Sequence, residues 1–223
     1  MLALQGLKVT IQSAEVLRGV SLTVAKGEMV GLIGRNGAGK TTTLKAIMGL
    51  AAVGGGEVLL DGRDLTKTPT HHRAGLGIGY LPEDRRLVPA LSVEENILLP
   101  AWVTPGLDRK ARLALIYELM PEVAAQRQRK ALLLSGGQQK LVALARALMA
   151  GTRLLLLDEP FEGVAPALSH RLAEVIAALK GESLAVLIAQ SDLNHSRTLL
   201  DRDYAIERGA SIASTQTPVG DMR

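Results

Sequence analysis

The 223-residue sequence contains no cysteine, which excludes a disulfide framework and thiolate-bound metal. It has only five aromatic side chains, Tyr80, Trp102, Tyr117, Phe161 and Tyr204. Spread singly, they offer no stacking platform of the kind that single-strand nucleic-acid binders use. Neither charge sign dominates: 26 basic against 22 acidic residues leave +4, too small a surplus to require nucleic acid, and no such partner is expected. Long apolar runs are also missing. The longest, residues 154–157 and 184–189, fall far short of the roughly 20 residues that span a bilayer. The opening stretch MLALQGLKVT has no basic segment leading into an apolar one, so the expectation is a cytoplasmic chain whose membrane role comes through a partner. What is present is a globular composition, 47% apolar and 22% charged, in a length that suits one domain.

Glycine is plentiful, 23 residues, and clustered at 31–39, 54–56, 75–79 and 136–137. Ahead of the first cluster, Leu7, Val9 and Ile11, then Val16, Val20, Leu22 and Val24, alternate with polar residues as half-buried antiparallel strands do. Met29–Ile33 is a short apolar run that ends in glycines, the pattern of a buried parallel strand, and Leu44, Ile47 and Met48 then fall at helical spacing. Strand, glycine loop and helix make a βα unit. A second strand pair is expected at 56–60 and 78–81. Between about 92 and 131 the pattern turns helical, with a stripe at Ala111, Leu115, Ile116, Leu119, Met120 and Val123 and a break at Pro121. Residues 153–158 and 184–190 return to buried-strand type, around a helix at 167–179 that Gly181 stops. The fold class expected is α/β with a helical insertion.

Gly34-Arg35-Asn36-Gly37-Ala38-Gly39-Lys40-Thr41 satisfies G-x-x-x-x-G-K-[ST] between a buried strand and a helix. Its glycines let successive amides point inward, and the new helix adds free N–H groups and a positive dipole end, so the loop and the adjoining Thr42 can wrap a polyphosphate. Lys40 is expected to reach the β- and γ-phosphates and Thr41 to offer its hydroxyl to Mg²⁺. The run 154–157 ends in Asp158 and Glu159, at the carboxyl end of a strand, where parallel sheets bind ligands. Asp158 suits the metal, and Glu159 suits polarising the attacking water.

Ser135-Gly136-Gly137-Gln138 precedes a strong helix, and Ser135 with Gln138 also has capping-box spacing. A cap alone does not explain two glycines in a first turn, where each costs up to about 1 kcal/mol relative to alanine. Bare amides there suit the approach of an anion. With the loop at 34–41, LSGGQ at 134–138 and LLLLDEP at 154–160 in this order, the chain resembles the ATP-binding cassette family over essentially its whole length. The resemblance implies a P-loop core of mostly parallel sheet with flanking helices, an antiparallel β subdomain and a helical subdomain inserted at about residues 92–140. It implies ATP and Mg²⁺ as ligands and a head-to-tail pair of cassettes, in which Ser135, Gly136, Gly137 and Gln138 of one chain close on the nucleotide held by Lys40 of the other.

The family pattern is broken at several positions. Ile11 stands where the resemblance implies an aromatic stacked on adenine, Glu83 where it implies a metal- or water-binding glutamine, and Ala165 where it implies an aspartate. Ser191 occupies the place of a histidine that touches the γ-phosphate, with Gln190 and His195 as alternative substitutes. His71 and His72 read as solvated. Glu83, the segment Val93-Glu94-Glu95-Asn96 and the sequence after Glu159 are similar to the smaller ATPase of branched-chain amino acid importers, a pattern shared by urea and amide importers. The resemblance implies a transport ATPase on the inner face of the membrane, held there by integral permease subunits that dock near residues 86–92 and Trp102, and served indirectly by a periplasmic or extracellular solute-binding protein. The second cassette is an identical chain or a paralogue. Competing readings are an ATP-gated dimerisation module with weak hydrolysis and a soluble cassette ATPase unconnected to transport.

Overall fold

A computed structural model of the chain describes residues 1–180, 183–194 and 196–215. Gly181 and His195, which figured in the sequence expectations, lie outside the described residues. The fold is α/β, with one antiparallel and one mostly parallel sheet. Strands β1 (Leu2–Ile11), β2 (Ala14–Val24), β4 (Gly55–Leu60) and β5 (Arg63–Asp64) form the four-stranded antiparallel sheet, ordered β2-β1-β4-β5. The six-stranded sheet is ordered β10-β9-β3-β8-β7-β6, from β3 (Met29–Ile33), β6 (Ile78–Leu81), β7 (Leu154–Asp158), β8 (Ala185–Gln190), β9 (Arg202–Glu207) and β10 (Ala210–Thr215). Its pairings are parallel except for the β9–β10 hairpin at the edge.

One expectation needs correcting. Segments 56–60 and 78–81 are both strands, but they do not pair: β4 lies beside β1 in the antiparallel sheet, and β6 lies beside β7 in the parallel one. Gly79 explains why β6 belongs there. A methyl group at that position would overlap the Ala147 carbonyl and come within 2.8 Å of the Gly151 amide, so only glycine lets the helix behind β6 pack this close.

The parallel sheet is buried on both faces, and strand alternation divides its side chains between two cores. Leu154 and Leu156 join Val30, Leu32 and Leu187 in a core shared with the antiparallel sheet and helix α1 (Lys40–Met48). Leu155 and Leu157 join Met29, Val186 and Ile188 on the opposite face, under α6 (Gly136–Ala150) and α7 (Pro166–Ala178). Between β5 and β6 a short α2 (Thr70–Gly75) brings in Arg73, which is 2% exposed. Its guanidinium donates to the Ala46 and Ile47 carbonyls at 2.8 and 2.6 Å and so closes the C-terminal end of α1. His71 and His72 are exposed.

The segment between β6 and β7 is helical. α3 (Val93–Trp102), α4 (Arg109–Leu119) and α5 (Pro121–Ala124) precede α6, and Pro121 begins α5, where a missing N–H is harmless. In the Val93-Glu94-Glu95-Asn96 segment, Glu95 completes a capping box with Ser92, and buried Asn96 bonds the backbone of Val88 and Ser92. Glu94 accepts from Tyr117 at 2.8 Å.

Candidate functional site

The glycine loop leaves the end of β3 and enters α1 at Lys40. Gly37 and Gly39 take φ of 81° and 111°, a region other residues rarely adopt. A side chain at Gly34 would overlap the Ile206 carbonyl, and one at Gly39 would meet Leu17 at 2.7 Å. The loop borders a cleft of about 240 Å³ lined by Asn36, Gly37, Gly39, Lys40, Thr41 and Thr42 together with Val16, Glu83, Glu159 and Glu162. Ala38 is buried, its amide bonded to the Arg35 carbonyl at 3.0 Å.

Strand β7 delivers Glu159 to this cleft and Asp158 to the Thr41 side chain. Thr41 Oγ1 donates to Asp158 Oδ1 at 3.0 Å and the Tyr80 hydroxyl donates to Oδ2 at 3.2 Å. Burial holds the Asp158 carboxyl above the usual range, against the opposing pull of these two hydrogen bonds. Burial, reinforced by the Asp158 charge, pushes the Tyr80 phenol far up, so Tyr80 is a neutral donor. The chain turns sharply at Glu159, whose φ is 45°. That turn swings its carboxylate back over the loop. Glu159 Oε1 lies 3.1 Å from Lys40 Nζ and 2.8 Å from Ser191 Oγ, and the Ser191 amide donates to Oε2 at 3.2 Å. Lys40 also donates to the carbonyls of Gly34 at 2.5 Å and Arg35 at 3.2 Å. Lys40 and Glu159 are 5% and 6% exposed.

Sequence positions far apart thus converge at one place: Lys40, Thr41, Asp158, Glu159 and Ser191. Ser191 follows β8 and also stands 3.0 Å from Asn36 Oδ1. Gln190 is directed elsewhere, with its side-chain amide donating to Ser196 Oγ. Glu83 lines the cleft, but Ile11 does not. Ile11 ends β1, is 45% exposed, and cedes the place beside the loop to Val16. Ser135, Gly136, Gly137 and Gln138 stand outside the cleft at the start of α6. Ser135 Oγ accepts the Gln138 amide at 3.3 Å while Gln138 Oε1 accepts the Ser135 amide at 2.9 Å. The capping box is therefore real, and the paired glycines are an addition to it.

Two contributors escaped sequence reasoning. In the sequence Tyr80 is only an isolated aromatic. Lys140, one turn into α6, is 1% exposed and donates to the Glu159 carbonyl at 2.8 Å. Burial pushes its pKa down and Arg85 adds to this, while Glu83, Glu162 and Asp158 oppose it. An apolar-faced helix with a lysine on the inward side was the only available signal.

A second groove of about 450 Å³ opens on the other side of Thr41, Glu83 and Asp158, lined further by Met48, Leu50, Tyr80, Pro100 and Arg146. Arg86 borders it, whereas Trp102, 52% exposed, does not. No helix among the described residues is long and apolar enough to cross a membrane.

A parallel sheet whose central strand runs through a glycine loop into a helix, with two acids ending a nearby strand, is the architecture of a P-loop ATPase. Residues 17–162 match the ABC transporter family. The lipopolysaccharide export system ATP-binding protein LptB of Haemophilus influenzae is 37% identical over 98% of this chain and 91% of its own length. The high-affinity branched-chain amino acid transport ATP-binding protein BraG of Pseudomonas aeruginosa is 36% identical over 87% and 84%. Among solved structures, the ATP-binding subunit of an ABC transporter superposes with a TM-score of 0.86 at 27% identity, covering 97% of this chain and 90% of the other. The dimeric bacterial cassette MJ0796 gives 0.85 at 25% identity, covering 98% and 99%. The chain belongs to the ABC transporter family, as an ATPase subunit whose hydrolysis is coupled to transport.

Proposed function

We propose that the cleft holds ATP with Mg²⁺, and that Glu159 is the acid that takes a proton from the attacking water. The observation that carries this reading is that Lys40, Thr41 and Glu159 line one glycine-lined cleft, with Asp158 hydrogen-bonded to Thr41. The donor set fits magnesium: Thr41 Oγ1 and Asp158 Oδ1, 3.0 Å apart, have the spacing of neighbouring ligands in an octahedron of radius about 2.1 Å. Asp158 would hold the ion directly or through water, and Glu83, which lines the cleft, would be a further ligand. Thr41 and Asp158 would hold the metal, which would supply positive charge to offset that of the phosphates. The loop amides hold the phosphates, and Lys40 exchanges Glu159 for a phosphate oxygen. Ser191 donates to the acid through both its hydroxyl and its amide and keeps it aimed.

Ser135, Gly136, Gly137 and Gln138 face outward in this reading and engage the nucleotide of a second cassette. Similarity to a dimeric cassette supports such pairing. The adenine lies beside Val16, the apolar side chain that borders the loop. Integral permease subunits dock at the groove that shares Thr41 and Glu83 with the nucleotide cleft. The solute is a branched-chain amino acid or a related small polar molecule taken up by import, with a solute-binding protein outside the membrane, as similarity to BraG supports. A second reading, export of a lipid-linked substrate, is favoured by the similarity to LptB over nearly the whole chain.

The test is to purify the chain with its membrane subunits, reconstitute the assembly in vesicles, and measure ATP turnover. Stimulation by an amino-acid-loaded solute-binding protein is expected. Turnover stimulated instead by lipopolysaccharide, with no response to any loaded binding protein, would replace import by export. Failure to co-purify with any membrane protein would remove the permease-docking assignment.

A further inference from the structure

Lys140 is not needed for a capped helix start, nor does it line the cleft. A lysine on a helix usually runs its stem along apolar surface and keeps its ammonium in water. Here the whole side chain is 1% exposed. A buried ammonium has to find hydrogen bonds and opposite charge to remain inside. Its Nζ ends 2.8 Å from the Glu159 carbonyl oxygen, in the field of Asp158, Glu83 and Glu162.

The acceptor is unusual in its own right. Glu159 has a left-handed backbone, φ 45°, which residues other than glycine hold only when the surroundings enforce it. Its amide donates to the Ala189 carbonyl at 2.9 Å, and its carbonyl receives the Glu162 amide at 3.2 Å as well as Lys140. That backbone turn aims the carboxylate at Lys40 and Ser191.

Lys140 also sits five residues after Ser135 on the same helix, roughly 7–8 Å along the axis. Near the other end of that helix, Arg146 donates to the carbonyls of Arg85 and Arg86 at 2.5 and 2.7 Å. We propose that Lys140 is a positioning residue for Glu159, a side-chain link through which movement of the α6 N-terminus shifts the acid that activates water. Engagement of the outward-facing glycines by the second cassette's nucleotide would thereby set the geometry of the acid in this chain. The inference rests on the assignment of Glu159 made above.

The test compares Lys140→Met, close in length but without charge or N–H, with the native chain in the assembled transporter. Turnover number, KM for ATP and the Hill coefficient in ATP are the readouts, with melting temperature as the control. Lys140→Met is expected to lower kcat at least about tenfold, to leave KM within about twofold, and to bring the Hill coefficient toward 1. A merely structural lysine would lower the melting temperature without separating kcat from KM or changing the Hill coefficient, and that result overturns the proposal. So does a folded Lys140→Met with native kcat. Should Lys140→Met not fold, Lys140→Gln, whose amide falls short of the Glu159 carbonyl, serves in its place, and native kcat in folded Lys140→Gln is equally decisive against the link. Glu159→Gln run alongside separates the two levels. Loss of turnover in Glu159→Gln with none in Lys140→Met defeats only the link, whereas retained turnover in Glu159→Gln defeats the parent assignment.

Discussion

Glu159→Gln removes one negative charge and almost no volume from a buried pair, so its two effects are separable. Loss of a general base lowers kcat by about 10²–10⁴-fold, equivalent to about 3–5 kcal/mol of transition-state stabilisation. Deleting one partner of a buried ion pair ordinarily costs about 3–5 kcal/mol of folding stability because a charge is left stranded. Lys40 is not stranded: it keeps the Gly34 and Arg35 carbonyls, at 2.5 and 3.2 Å. The amide oxygen of the new glutamine also still accepts from Lys40 or Ser191. The expected stability loss is therefore nearer 1–2 kcal/mol, a fall of about 2–8 °C in melting temperature for a chain this size. Removing a carboxylate from beside the phosphates leaves MgATP binding at least as tight. The assays are steady-state phosphate release and nucleotide titration on the same preparation. Turnover within about threefold of native in a nucleotide-saturated variant would refute the role of Glu159 as base. Loss of ATP binding in parallel with turnover would show that the residue holds nucleotide rather than water.

Three further outcomes are expected. Ser191→Ala removes the hydroxyl 2.8 Å from Glu159 but leaves the Ser191 amide on the other oxygen at 3.2 Å; kcat should fall about tenfold with little change in KM, the low end of a hydrogen bond to a charged group, as read by steady-state kinetics. Because burial raises the Asp158 pKa, the folded state binds that proton more tightly than the unfolded one, so the stability this group contributes is complete below its ordinary value of 3.8 and is lost as pH rises through the raised folded value. Asp158→Asn should accordingly raise the melting temperature at neutral pH in chelator, lose that advantage below about pH 4, and abolish magnesium-dependent turnover; a variant no more stable than native at pH 7 would contradict the sign. Gly79→Ala should cost about 3 kcal/mol in denaturant titration, since the added methyl meets the backbone of Ala147 and Gly151 rather than a side chain that can swing away.

The sequence made local features legible because they are set by neighbours in the chain. The phosphate loop and the ends of Met29–Ile33 followed from glycine placement, and the cap at Ser135 from a three-residue spacing. The opposite-facing leucines of 154–157 did not need to be assigned, since a strand buried on both faces tolerates apolar residues everywhere. Pairing of 56–60 with 78–81 was a misreading of the same kind of evidence: both segments look like strands, and which sheet each joins depends on the long-range fit of Gly79 to Ala147. The position of Lys140, the buried fork of Arg73 behind α1 and the hydroxyl of Tyr80 at Asp158 share one reason for being hidden. Each is a long side chain that travels to a partner supplied by a remote element, and no periodicity records where such a chain ends. Ser191 was found only by resemblance to a position normally filled by histidine, and its grip on Glu159 through both hydroxyl and amide depends on how β8 ends beside β7.

Thr41 and Glu83 border both the glycine-loop cleft and the neighbouring groove, and Asp158, hydrogen-bonded to Thr41, lines the groove. On the reading proposed above, fuel chamber and loading dock would be divided by a partition one layer of side chains thick. A push of an ångström against its outer side would not need relaying by a lever or a hinge, because the oxygens displaced would be the same ones that face the phosphates. Such a wall works in both directions, so an element wedged into the groove should alter nucleotide exchange as readily as nucleotide alters what the groove can grip.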